Sequence, residues 1–185
     1  MTEANAIAEL RGWSRFVGLQ VPYSLVERTV ERELLPMAHA HQLAVTTWGP
    51  LGGGVLTGKY EAGKPRPKGH RLSEGPWGDA ALTDRALAIA GAVREVATEL
   101  DRTPSQIALA WVLAQRSRAA IIPILGARKV GQLADNLGAL ELQLPPAVLA
   151  KLDAASAIDL GFPHDFLNQV RGVIHGATTV ERSIP

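Results

Sequence analysis

The 185-residue sequence contains no cysteine. Disulfides, thiolate catalysis and zinc held by thiolates are therefore excluded, and a reducing compartment suits the chain. Charge of one sign is also scarce: 19 Lys and Arg stand against 18 Asp and Glu, a net of +1. With no polybasic block either, neither nucleic acid nor an anionic membrane is an expected partner. No apolar run approaches the ~18 residues of a membrane span. The opening MTEANAIAELRGW has neither the basic n-region nor the apolar h-region of a secretion signal. A cytoplasmic location is expected. What the chain does have is ordinary for a folded domain, 46% hydrophobic and 20% charged residues, with length for one substantial core.

Three short runs are apolar almost throughout: FVGLQV at residues 16–21, LAVTTW at 43–48 and AAIIPIL at 119–125. Continuous rather than alternating apolar character predicts parallel strands buried on both faces. Helical patterns lie between them. VERELLPMAHAHQ follows the first run, with residues 31–35 as an entry and a regular helix beginning near Pro36, since proline fits the first turn. TDRALAIAGAVREVATEL places Leu87, Ala90, Val93, Val96, Ala97 and Leu100 at helical spacing. In TPSQIALAWVLAQ, Thr103 caps, Pro104 takes the first helical position and Gln106 completes a capping box. KVGQLADNL and PPAVLAKLDAAS read as helices after the third run, and ANAIAELRGW as one before the first. No periodicity is evident after Ser156.

Strand and helix in alternation imply right-handed parallel units, in a doubly wound sheet or a (β/α)8 barrel. A barrel takes eight strands and ~250 residues, so three strands preceded by a helix without its own strand read as the second half of something larger. Residues 61–82, EAGKPRPKGHRLSEGPWGDAAL, exceed the ~12–15 residues of ordinary connections and read as a functional lid or a disordered insertion.

GGVLTGKY at residues 53–60 fits the P-loop spacing up to its last position, where Tyr60 replaces the hydroxyl residue that would reach magnesium. A P-loop must run into a helix, and Gly63, Pro65 and Pro67 forbid one here. What remains is a glycine-dense loop at the end of a strand. Gly49, Gly52, Gly53 and Gly54 leave backbone N–H groups open to an anion, with Lys59 nearby; the stretch reads equally as a permissive turn. The third run ends similarly. Arg128 and Lys129 stand just before a helix, as an anion site or as a solvated basic pair. Gln132 and Asn136, four residues apart, share the helical face that carries that loop.

The ordered combination of LQVPYSLVERTVERELLPMAHAHQLAVTTWGPLGGGVLTGKY with IPILGARKVGQLADNLGALELQL resembles the C-terminal half of an aldo-keto reductase, and GFPHDFL resembles the extended tail of bacterial members. The resemblance covers nearly the whole chain. It implies a partial (β/α)8 barrel over residues 1–185, about the last three βα units plus a C-terminal helix and a tail at 157–185, with 61–82 as the lid. It also implies NADP(H) as cofactor. By position, Gln20 matches the glutamine that contacts the nicotinamide carboxamide, and Trp48 the aromatic residue on which the nicotinamide stacks. Gly49, Pro50, Leu51, Gly53 and Lys59 fall in the pyrophosphate loop. Arg128 matches a 2′-phosphate contact, and Gln132 and Asn136 match adenosine contacts. Taken without the resemblance, Trp48 reads as a core aromatic and Gln20 as a satisfied buried amide.

The family's Asp, Tyr, Lys and His catalytic set belongs to the first half of the barrel and has no counterpart here. Tyr23 and Tyr60 fall elsewhere, and His39, His41, His70, His164 and His175 form no substitute. The expectation is therefore the cofactor-binding half of an NADPH-dependent enzyme that reduces aldehydes or ketones, from a truncated or split reading frame and inactive alone. The alternative is a non-catalytic nucleotide-binding or interaction module. Open barrel edges imply self-association.

Overall fold

The computed structural model describes residues 1–73, 76–176 and 178. Parts of the expected lid (74–75) and of the expected tail (177 and 179–185) thus lie outside the described residues. Strands β1 (Gly18–Pro22), β2 (Ala44–Trp48) and β3 (Ala120–Pro123) form one parallel sheet in that order. Leu19, Val45 and Ile121 stand abreast, and Gln20, Thr46 and Ile122 form the next row. Helix α1 (Thr2–Arg11) precedes β1, and α2 (Leu34–Ala40) joins β1 to β2. Pro36 falls in the first turn of α2, where its missing N–H costs nothing.

Between β2 and β3 run α3 (Pro76–Ala81), α4 (Asp84–Glu99) and α5 (Pro104–Ala114); α6 (Val130–Leu137), α7 (Pro146–Ala155) and α8 (His164–His175) follow β3. The expected capping box opens α5: Gln106 N donates to Thr103 Oγ1 at 3.2 Å and Thr103 N to Gln106 Oε1 at 3.4 Å. The core joins Val21, Val45 and Ile121 to Ile89, Val93 and Val96 of α4, to Ile107, Trp111 and Val112 of α5, and to Leu152 of α7.

The near-continuous strands are covered on one face only, the open face that three strands of a larger sheet leave. Leu19, Val21, Val45 and Ile121 turn toward the helices, while Gln20, Trp48 and Ile122 on the other face are exposed, because side chains alternate along any strand. The segment after Ser156 is not aperiodic: α8 places Phe166, Val170 and Val173 at helical spacing. The stretch 61–82 carries α3 at its end, and Arg66 pairs with Asp79 at 2.7 Å.

Asp135 ties α6 to α5. Its carboxylate accepts from Thr103 Oγ1 at 3.0 Å and from Gln106 Nε2 at 3.2 Å, beside the N-terminus of α5. Acid at a helix N-terminus adds favourable dipole energy to these bonds. Asp135→Ala is expected to cost ~1–2 kcal/mol, read as a lower urea midpoint at unchanged m-value. An unshifted midpoint would mean that α6 is held by apolar contacts alone.

Candidate functional site

The strands end at a tight glycine turn. Gly49, Gly52, Gly53, Gly54 and Gly58 all have positive φ, between 59° and 106°, a region that side chains enter only with strain. Space is short as well: a Cβ on Gly52 would sit 2.8 Å from Val26 Cγ2, and one on Gly58 2.8 Å from Pro104 Cγ. Two of the N–H groups expected to be open are used inside the turn, Gly52 N donating to Gly49 O at 2.8 Å and Gly54 N to Leu51 O at 2.9 Å. The Leu51 carbonyl also accepts from Leu56 N at 3.2 Å, and Pro50 is buried. Pro50 and Leu51 therefore shape the loop.

A cavity of about 340 Å³ opens beside this turn, lined by Trp48, Gly49, Gly52 and Gly53, by Pro22, Tyr23 and Ser24 after β1, by Ala80 and Ala81 of α3, and by Thr83 and Arg85 at the start of α4. The end of the 61–82 stretch thus forms one of its walls. Trp48 is 52% exposed and its carbonyl accepts from Tyr23 N at 3.3 Å, so it is a presented indole and not a core aromatic. Gln20 is exposed on the same sheet face as Trp48 but is not in the cavity lining. A satisfied buried amide is excluded.

Lys59 closes the far end of the loop. Its Nζ lies over the Tyr60 ring, 5.3 Å from the centroid. Burial, and then the charge of Arg128, hold its pKa below the ordinary lysine value. The charge on the loop after β3 is thus felt at the end of the loop after β2. Arg128 itself is exposed, and its backbone N donates to Gln132 Oε1 at 3.0 Å. Part of Gln132 is thus spent holding the turn before α6. Asn136 is only 5% exposed.

Sequence reasoning missed two features. Arg85 lines the cavity and donates to Val26 O at 3.3 Å, to Ser156 O at 2.9 Å and to Ala157 O at 3.2 Å, fastening the β1–α2 loop to the end of α7. Behind the cavity wall lies a buried ionic cluster. Tyr23 Oη donates to Glu31 Oε1 at 2.7 Å, Arg28 pairs with both Glu31 oxygens at 2.8 and 3.1 Å, and Arg118 approaches the same carboxylate at 3.3 Å. Arg28 also lies over Trp111, 5.1 Å from the ring. Burial opposes the Arg28 charge, and Glu31 more than offsets it, so the guanidinium pKa stands above its ordinary value. The available signal was the charge density of VERTVERE at residues 26–33, which reads as a solvated helix entry.

These features define an α/β chain of parallel units with its cavity at the C-terminal ends of the strands, where this class of fold places its sites. A family model described as "Aldo/keto reductase family" matches residues 2–157, and the chain belongs to that family. An uncharacterised oxidoreductase of Bacillus subtilis is 36% identical over 83% of this chain and 44% of its own length. An aryl-alcohol dehydrogenase of Pestalotiopsis microspora is 31% identical over 95% of this chain and 43% of its own. A rice protein named as a probable voltage-gated potassium channel subunit beta is 33% identical over 83% of this chain and 48% of its own. The chain spans about half the length of the curated relatives it matches.

Proposed function

We propose that this chain is the cofactor-binding portion of an NADP(H)-dependent oxidoreductase, the last three βα units of a (β/α)8 barrel, which in complete form reduces aldehydes or ketones. The observation that carries the reading is an exposed indole, Trp48, at the head of a glycine turn whose far end carries Lys59. These residues fit the cofactor chemically. Trp48 offers a flat apolar face to the nicotinamide, Gln20 an amide on the same sheet face, and the turn with Lys59 a cationic end for the diphosphate. Arg128, Gln132 and Asn136 would take the phosphorylated adenosine. When bound, the cofactor supplies hydride; the residues of this chain orient it and neutralise its phosphates. A second reading, a non-catalytic nucleotide-binding or interaction module, draws on the name of the rice relative and on the lack, among the described residues, of a counterpart to the family's catalytic set.

Arg128→Ala is expected to weaken NADPH binding by ~10- to 100-fold, the worth of one charge-assisted contact, and to leave NADH nearly unchanged. Fluorescence titration of the chain with each cofactor measures both. Equal losses would remove the 2′-phosphate assignment.

The pH dependence follows from Lys59. Its folded pKa is depressed by burial and by Arg128, and a bound anion favours the charged amine, so binding is linked to proton uptake. NADPH affinity should fall as pH rises through that depressed pKa, before an ordinary lysine, at ~10.4, begins to titrate. Arg128→Ala, by removing the like charge, should move the fall upward. A fall at the same pH in both proteins would mean that the two cations act independently.

A further inference from the structure

The chain has four tryptophans, and α3 carries the most exposed of them. Trp77 is 82% exposed, against 60% for Trp13, 52% for Trp48 and 0% for Trp111. An indole is a large apolar body with one polar handle, and leaving it in water forfeits the burial that such a side chain normally gains. Its place in the fold accounts for the exposure. Residues three and four apart share a helical face, so Trp77 shares one with Ala80 and Ala81, and both alanines line the cavity of about 340 Å³. Trp48 lines the same cavity. One indole thus stands in the cavity wall, and the other stands one helical turn along from it.

Helix α3 is held in place through the glycine turn. Leu72, 4% exposed, comes within 3.8 Å of where a Cβ would stand on Gly53. Its carbonyl oxygen lies 2.6 Å from where a Cβ would stand on Gly78, so only glycine lets α3 approach so closely. The Arg66–Asp79 pair at 2.7 Å adds a second tie. Trp77 and Trp48 are therefore carried by one packed unit. The rest of the cavity is mostly apolar, with Pro22, Val26, Val55 and Ala86, and it has one charge of each sign. Arg85 donates to three backbone carbonyls, and Glu27 accepts from Thr29 N at 2.9 Å. Such a lining suits a neutral ligand.

We infer that Trp77 is a specificity-determining residue that selects neutral, flat aromatic carbonyl compounds by stacking their ring on its indole. The inference rests on the proposed function: with the nicotinamide on Trp48, α3 supplies the wall left for the substrate. Planarity is the property that discriminates. An aromatic ring gains offset or edge-to-face contact with an indole beyond the area it buries, whereas a saturated ring of the same size gains the area alone.

The test needs no turnover. The 185-residue chain is titrated with benzyl alcohol and with cyclohexylmethanol, the products expected from an aromatic aldehyde and from its saturated counterpart. The indole N–H resonances are followed, and that of Trp77 is assigned by its loss in Trp77→Phe. Benzyl alcohol is expected to shift the Trp77 signal and to bind about two- to tenfold more tightly than cyclohexylmethanol. Benzoate, the same ring with a charge, should bind more weakly than benzyl alcohol. Trp77→Ala should erase the aromatic preference, and Trp77→Phe, which keeps an aromatic face, should retain most of it. Trp13→Phe should leave it unchanged. Because Trp77 and Trp13 are exposed, none of these variants removes a core contact. Equal affinity for the two alcohols, tighter binding of benzoate, a preference that survives Trp77→Ala, or a Trp77 signal that does not move would overturn the inference. NADPH is titrated separately. A Trp77-dependent preference in a chain that binds no NADPH defeats only the functional proposal, and NADPH binding without that preference defeats only this inference.

Discussion

Glu31→Ala is expected to unfold the chain at ambient temperature. Its carboxylate is almost fully buried, receives both the Arg28 guanidinium and the Tyr23 hydroxyl, and is approached by Arg118. Removing one partner of a buried pair costs ~3–5 kcal/mol, because the remaining charge stays in low dielectric without compensation. Here the loss leaves Tyr23, 0% exposed, without its acceptor, and Arg28, 6% exposed, with only the half-exposed Asp153 carboxylate at 3.4 Å to offset its charge. Against a total stability of ~5–15 kcal/mol, for a chain with an open sheet face, that loss is decisive. Tyr23→Phe removes one hydrogen bond and should cost only ~1 kcal/mol. It should also change the alkaline behaviour. Burial, and then Glu31, raise the Tyr23 pKa above its ordinary value, so the folded state keeps a proton that the unfolded chain releases above pH ~10. Stability is therefore at its full value below that pH and declines above it. Tyr23→Phe should flatten this decline. Thermal melts at pH 7 and pH 10.5 read both effects, and a Glu31→Ala midpoint within a few degrees of the unsubstituted chain would show the cluster to be hydrated.

The parts of this architecture that were legible in the sequence are those encoded by local rules. Thr103, Pro104 and Gln106 specify a helix start by side-chain chemistry alone, and the capping box is there. The three apolar runs mark the three strands, because each supplies a mainly apolar face to the helices, broken only by Thr47 in β2. Position in a barrel half, by contrast, is decided by distant segments, so the exposure of Ile122 on the other face of the same strand has no local signature. The glycine turn was legible as a turn but not in its hydrogen bonds. Gly52 and Gly54 spend their N–H groups within the loop, a consequence of successive positive φ values that composition does not reveal. Arg28 and Glu31 were hidden for another reason: charged residues near a helix entry are usually solvated, and here Trp111 and α7 cover them from far along the chain. Helix α8 was missed because Gly161 and Pro163 crowd its approach and Gly172 falls inside it, although Phe166, Val170 and Val173 keep the period.

Alone, the 185-residue chain is expected to reduce carbonyls slowly or not at all, and its five-stranded complement should raise the rate by ~10²–10⁴-fold through general-acid catalysis. Hydride delivery to a carbonyl builds negative charge on oxygen, which needs a proton donor or oxyanion stabiliser within hydrogen-bond reach. The cavity does contain a tyrosine. Tyr23 is fully buried, however, its hydroxyl is committed to Glu31 at 2.7 Å, and burial and that carboxylate raise its pKa. Moving its proton toward a substrate would strand Glu31 and Arg28 in the core. Arg85 is cationic but occupied by three backbone carbonyls, and Lys59 sits at the far end of the loop, over the Tyr60 ring. On the proposed function this chain contributes position: Trp48 and the turn would fix where the cofactor lies, so Trp48→Ala should abolish whatever rate the complemented barrel attains. The measurement is NADPH oxidation with an aromatic aldehyde by purified chain, with and without the complement, after stringent removal of host reductases. Turnover by the chain alone that Trp48→Ala abolishes would require a proton donor within this half, and Arg85→Ala would then be the first variant to separate a guanidinium oxyanion site from a structural clasp.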